Sequence, residues 1–351
     1  MTGLKIKTKS QYFAASNSYK GFRNHFSEFF NPQTSDRIFI IKGGPGTGKS
    51  CFMKRLESLF TKQDLQTTAI LCSSDLGSLD GLTVRGRRGS FSILDGTAPH
   101  ATDTVMPGAL DEIIDLGSCW NDSWLTAHRE VIEKLNTEKA NACKVAYGYL
   151  KIAGVASEEI KSNALRCFDK KSAINRIKSL AENELDCKDG GRTLRFISSF
   201  SKDGLYRLDT LSNIYSNRIS VGGESVFASI FVTHLSEYMR SLELEHFSFP
   251  SVPDNEVSEA VAVGDGAVYV TDKEDYNIDA NEYFKRSPVN EEEIKIAKIV
   301  QKDALAEAKR WFGIAADMHF SLEDIYSEAM DFDKIDSIFE VKYGQMQNIL
   351  N

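Results

Sequence analysis

Residues 37–50 read Arg37-Ile-Phe-Ile-Ile-Lys42 followed by Gly43-Gly-Pro-Gly-Thr-Gly-Lys49-Ser50. The first part is a short, apolar, β-branched run, the pattern of a strand covered on both faces in a parallel sheet. The second part satisfies G-x4-G-K-[ST] through Gly43, Gly48, Lys49 and Ser50. The stretch after it, CFMKRLESLF, puts Phe52, Leu56, Leu59 and Phe60 at helical spacing. Strand, glycine loop and helix in this order are the context that the motif requires. Glycines let the backbone N–H groups form a nest with no Cβ in the way. That nest and the helix N-terminus together suit a β-phosphate. Lys49 would add positive charge at the β- and γ-phosphates, and Ser50 a hydroxyl for Mg2+. The expected nucleotide-contacting set is Gly43, Gly44, Pro45, Gly46, Thr47, Gly48, Lys49, Ser50 and Cys51.

Outward from this loop, Ser90-Phe-Ser-Ile-Leu-Asp95 reads as a neighbouring strand that ends in a carboxylate. Asp95 and Ser50 are the expected metal ligands. A further strand, Thr68-Ala-Ile-Leu-Cys72, runs into Ser73, Ser74 and Asp75. The C-terminal edge of an open α/β sheet is where ligands bind. Asp75 would hold Mg2+, position water or accept a proton there; its alternative is a loop cap. Asp80 is a weaker candidate. Many ATPases of this kind place Glu directly after the strand-ending Asp, but that place holds Gly96. The base is then sought in Asp75 or in His100, whose alternative is packing. The expected catalytic set is Lys49, Asp95, Asp75 and His100. No N-K-x-D tetrapeptide is present to read guanine, which favours ATP over GTP. Arg85, Arg87 and Arg88 in VRGRRG are either an arginine finger, from this chain or another, or a solvated basic turn.

The 351 residues, 42% hydrophobic and 26% charged, have ordinary globular composition and length for about two domains. A net charge of −8 is not that of a general nucleic-acid binder. The six cysteines form no CxxC pair and no zinc-like cluster, which fits free thiols in a reducing cytosol. The leading MTGLKIKTKSQYF has no apolar core of a signal peptide, and no run approaches the ~20 apolar residues of a membrane helix. The expectation is a cytoplasmic protein without a membrane partner.

The chain also resembles itself. Phe13-x2-Ser16-x-Ser18-x2-Gly21 recurs as Phe196-x2-Ser199-x-Ser201-x2-Gly204. Arg37-Ile38 has a counterpart in Arg218-Ile219, SFSILD in GAVYVTD ending at Asp272, and Ile114-Asp115-x4-Trp120 in Ile278-Asp279-x4-Phe284. With VFASIFVTHLSEYM standing as a helix in the place of CFMKRLESLF, these are five matches in one order, and they point to two copies of one unit. The second loop keeps Gly222, Gly223 and Ser225 but has no lysine, and Glu224 brings negative charge, so little triphosphate binding is expected there. The expected layout is a nucleotide-binding module at 1–122, a helical extension at 123–189, a degenerate second module at 190–287 and a C-terminal helical extension at 288–351. The modules are expected to pair within the chain, and the amphipathic helices to offer a surface for a protein partner.

These residues resemble a bacterial family of uncharacterised, duplicated P-loop ATPases. The resemblance rests on YFAASNSYKGF, RIFIIKGGPGTGKS, CSSDLGSLDG, and LDGTAPH followed by PGALDEIIDLG, and more weakly on ISSFSKDGL and AMDFDKID. It implies an α/β P-loop NTPase fold with a mainly parallel sheet, duplicated, with ATP and Mg2+ as cofactors. VGGES departs from the working second loop that the family usually shows. The leading expectation is a Mg-dependent ATPase whose second module is regulatory or structural. The alternatives are a small-molecule or nucleotide kinase, and a nucleotide-dependent interaction switch that does not hydrolyse.

Overall fold

The computed structural model describes residues 9–33, 35–63, 65–252 and 254–351. They form an α/β protein of two compact, non-contiguous units. The first gathers residues 9–15, 24–146 and 310–351, and the second residues 16–23 and 147–309.

In chain order the strands are β1 (Lys9–Phe13), β2 (Ala15–Ser18), β3 (Gly21–Asn24), β4 (Arg37–Lys42), β5 (Gln66–Leu71), β6 (Leu79–Arg85), β7 (Ser90–Asp95) and β8 (Asp111–Asp115). They continue as β9 (Arg192–Leu194), β10 (Ser198–Ser201), β11 (Gly204–Arg207), β12 (Asn217–Gly222), β13 (His246–Pro250), β14 (Ser258–Val263), β15 (Gly266–Val270) and β16 (Ile278–Asp279). The helices are α1 (Lys49–Thr61), α2 (Asp122–Ala127), α3 (Arg129–Arg166), α4 (Lys170–Asn183), α5 (Thr210–Ile214), α6 (Ser225–Ser241), α7 (Pro288–Glu328) and α8 (Phe332–Leu350).

The sheet of the first unit has the order β1-β5-β6-β7-β4-β8. Neighbours β1/β5, β4/β7 and β4/β8 are parallel, while β6 runs antiparallel to both β5 and β7. The sheet is therefore mixed: short connections from Leu71 to Leu79 and from Arg85 to Ser90 make hairpins, which parallel strands cannot use. In the second unit the order is β9-β13-β14-β15-β12-β16, with parallel β9/β13, β12/β15 and β12/β16 and antiparallel β14. Each sheet has one register irregularity at its first hairpin, between Ile70 and Leu71 and between Phe249 and Pro250. Two-stranded β2–β3 and β10–β11 lie outside these sheets, and each turns on a glycine with positive φ, Gly21 at 95° and Gly204 at 87°.

The core of the first unit lies between its sheet and α1 and α8. β4 is buried from Ile38 to Ile41, as its apolar run demands. Phe52 and Phe60 on α1 meet α8 through Phe339 (ring centroids 4.9 Å) and Tyr343 (5.4 Å). In the second unit α4 and α6 pack through Ile177, Leu180, Phe231 and Leu235. The expected divisions at 122, 189 and 287 follow the chain, whereas the compact units do not: α4 belongs to the second sheet and α8 to the first. Among the described residues no helix is long and apolar enough to cross a membrane.

Candidate functional site

The site is built at the C-terminal ends of β4 and β7, which lie side by side with Ile41 opposite Asp95. Chain leaving β4 forms the loop 43–48 and enters α1 at Lys49. The loop turns through Gly46 and Gly48 at φ values of 68° and 82°, in the left-handed region that favours glycine. Lys49 Nζ donates to the carbonyls of Gly43 (3.1 Å) and Gly44 (2.6 Å) and lies 3.8 Å from Asp95 Oδ2. The ammonium is thus folded back over its own loop. Thr47 is buried and its hydroxyl donates to the Gly44 carbonyl (2.9 Å). Ser50 Oγ accepts from the Leu79 amide (2.9 Å), tying the first turn of α1 to the start of β6. Cys51 is exposed.

Asp95 caps its own turn, accepting from the Thr97 amide (2.9 Å) and hydroxyl (2.6 Å) through Oδ1. This leaves Oδ2 toward Lys49. Gly96 has a packing reason: a Cβ there would lie 2.3 Å from Ile40 Cγ2. Lys42 clamps the following loop by donating to the carbonyls of Gly96 (2.9 Å) and Thr102 (2.6 Å).

The other expected residues divide. Asp75 accepts from Ser78 Oγ (2.6 Å) and the Gly77 amide (3.3 Å), which is the loop-cap alternative. His100 is buried and stacks on Phe26 with centroids 4.5 Å apart and planes 14° from parallel. Neither of its ring nitrogens has a hydrogen-bond partner. Burial lowers its pKa, with Lys49 adding to the effect and Asp95 opposing it. The imidazole is therefore neutral at pH 7.

Asp80, ranked low from sequence, is the deepest acid of the site. It sits near the register irregularity that opens β6 and is 6% exposed. Burial and then Asp95 push its carboxyl from 3.8 to about 7, against the pull of Lys49. The arginines are placed elsewhere. Because β6 is antiparallel to β7, Arg85 pairs with Ser90, at the start of β7, while Asp95 ends it. Ser90 to Asp95 at ~3.3 Å per residue is about 17 Å. The turn 86–89 packs instead on α8, where the Arg88 amide donates to the Leu350 carbonyl (3.4 Å). That direction puts these three arginines at the opposite end of β7 from Asp95.

Residues far along the sequence complete the site. A Cβ on Gly46 would lie 2.2 Å from the Glu323 carbonyl oxygen, and one on Gly44 would lie 2.9 Å from the Tyr326 ring, so α7 covers the outside of the loop. Tyr326 also packs edge-on to Trp120 (6.0 Å). Lys139 Nζ lies 3.0 Å from His319 Nδ1, and His319 Nε2 lies 3.5 Å from Glu323 Oε1. Burial, then the charges of Lys139 and Lys49, bring His319 down to about 4. A neutral His319 accepts from Lys139 at Nδ1 and presents Nε2–H to Glu323. Burial and then Asp75 raise the Glu323 carboxyl.

The corresponding place in the second unit differs. Only Gly223 and Glu224 separate β12 from α6. The Glu224 amide donates to Asn281 Oδ1 (3.1 Å), and its carboxylate is ion-paired with Lys298. Asp272 lies beyond the end of β15 at Val270, and Val270 is the residue opposite Val221. No carboxylate therefore ends that strand as Asp95 ends β7.

Comparison with family models, curated proteins and solved structures returns no match to this chain.

Proposed function

We propose that the first unit binds Mg-ATP at residues 43–50 and hydrolyses it. The observation that carries this reading is Lys49: its ammonium rests on the carbonyls of a loop with two left-handed glycines, 3.8 Å from an acid ending the adjacent parallel strand. Loop amides and Lys49 would hold the β- and γ-phosphates, with Lys49 giving up its carbonyl contacts for stronger charge-assisted ones. Ser50 and Asp95 would hold Mg2+, which supplies charge neutralisation on the transferred phosphoryl group. Such a site takes most of its ligands from phosphates and water. The unpartnered His100 nitrogens beside Asp95 and Lys49 suit a bound water or phosphate oxygen.

The acid missing after Asp95 has a replacement in Glu323, held by His319 and Lys139 at the edge of the loop. Its raised pKa suits a carboxylate that orients and deprotonates attacking water. The identical strand order and sense of the two sheets, each with an irregularity in its first hairpin, supports reading them as copies of one fold and hence the resemblance to duplicated P-loop ATPases.

A second reading, a nucleotide-dependent switch that turns over little, draws on the packing that forces glycine at 96. ADP release by the purified protein, beside Lys49→Ala and Asp95→Asn, tests both. Turnover abolished in both variants supports hydrolysis, and tight Mg-ATP binding without turnover supports the switch. Equal Mg-ATP binding by wild type and Lys49→Ala overturns the phosphate-site assignment.

A further inference from the structure

The second unit carries a cleft of about 510 Å3 where α7 crosses the start of α6. It lies beside the C-terminal ends of β12 and β16, the edge at which open α/β sheets receive ligands. Arg286, Lys295, Lys298 and Lys302 line it against two carboxylates, Glu224 and Glu291. Glu224 pairs with Lys298, Glu291 faces Arg286, and Glu292 pairs with Lys295 from outside the cleft, which leaves an excess of one positive charge in a chain whose net charge is −8. The remaining wall is apolar, with Phe227, Ile294 and Ile299.

Two of the cations are arranged around this wall. Arg286 lies over the Phe227 ring, 4.9 Å from its centroid, and bonds to the Asn281 side chain. Phe227 in turn stacks on Phe284 at 3.9 Å, which fixes the ring. Lys298 is held by Glu224, the residue that stands before α6 where Lys49 opens α1. Thus a lysine is present at this helix start after all, delivered by α7 and occupied by an internal carboxylate.

We propose that this cleft binds a phosphomonoester with an apolar or aromatic body, its phosphate taken by Lys298 and Arg286 and its body laid on Phe227, Ile294 and Ile299. A phosphomonoester carries a charge of about −1.5 to −2 at pH 7, which the cleft's cations meet once Glu224 leaves Lys298. The planar guanidinium fork of Arg286 suits phosphate oxygens. Binding displaces Glu224 from Lys298, so the carboxylate acts as the cleft's own competing anion. A triphosphate is disfavoured, because residues 223–224 are too few to wrap one. The volume is within the ~300–1,000 Å3 usual for small-molecule sites. This proposal does not depend on ATP binding in the first unit.

Titration of the full-length protein with AMP, followed by calorimetry, tests it. Saturable binding is expected, weakened about tenfold or more in Lys298→Ala and unaltered in Lys49→Ala. Glu224→Gln, which frees Lys298 and removes a negative charge, is expected to tighten binding and guards against a Lys298 variant that fails to fold. No saturation in the millimolar range overturns the proposal. So does binding lost in Lys49→Ala and kept in Lys298→Ala, or binding weakened by Glu224→Gln.

Discussion

Replacing Asp80 by Asn should stabilise the first unit at neutral pH. In the folded chain burial and Asp95 raise the Asp80 carboxyl from 3.8 to about 7. Between those values the native state keeps a proton that the unfolded chain has released. Stability therefore falls as pH rises through this window, and the loss is complete above about pH 7. A separation of roughly three pH units at ~1.36 kcal/mol each is about 4 kcal/mol, a ceiling because Asp95 shares the local charge. The amide keeps the volume of the carboxyl and cannot ionise, so its advantage should be near zero at pH 4 and a few kcal/mol at pH 8. All three tryptophans, Trp120, Trp124 and Trp311, belong to the first unit, so their fluorescence during urea unfolding reports that unit specifically. A variant less stable than wild type at pH 8, or one with an unchanged slope between pH 4 and 7, would refute the reasoning.

Three further outcomes follow from the same geometry. Gly46→Ala forces a Cβ at φ 68° to within 2.2 Å of the Glu323 carbonyl, and should cost about 2–4 kcal/mol by tryptophan-monitored unfolding. Glu323→Gln should lower ATP turnover about a hundredfold while Mg-ATP affinity, measured by calorimetry, is kept; loss of affinity instead would make it a structural contact. Arg87→Ala and Arg88→Ala should leave turnover unchanged, where loss of an arginine finger costs about 10³-fold or more.

The loop 43–50 was legible because its chemistry is written in backbone terms: glycines for positive φ, then a lysine and a hydroxyl at the helix start. Asp95 was legible as an acid ending an apolar strand. Asp80 was not, because Leu79-Asp80-Gly81 reads as turn residues and its strand direction is decided by pairing on both sides. The same hidden direction carries Arg85, Arg87 and Arg88 to the far end of the sheet. Glu323, His319 and Lys139 sit on long helices whose charged residues read as solvated faces, and only tertiary packing brings them to Gly46. The neutralisation of Glu224 by Lys298 likewise joins residues 74 positions apart.

The interleaving of the two units has a consequence for how the chain can be made and cut. The first unit contains residues 24–146 but finishes with residues 310–351, and α8 supplies Phe339 and Tyr343 to the apolar face of α1. During synthesis the glycine loop 43–48 therefore emerges long before Glu323 and Tyr326 exist to cover it, and the partial unit must wait with apolar surface open to water. Such a wait exposes a nascent chain to aggregation and to chaperones. For the same reason no single cleavage point divides the protein into two working halves. A fragment ending near residue 189 would contain every residue of the glycine motif and still lack one wall of its fold.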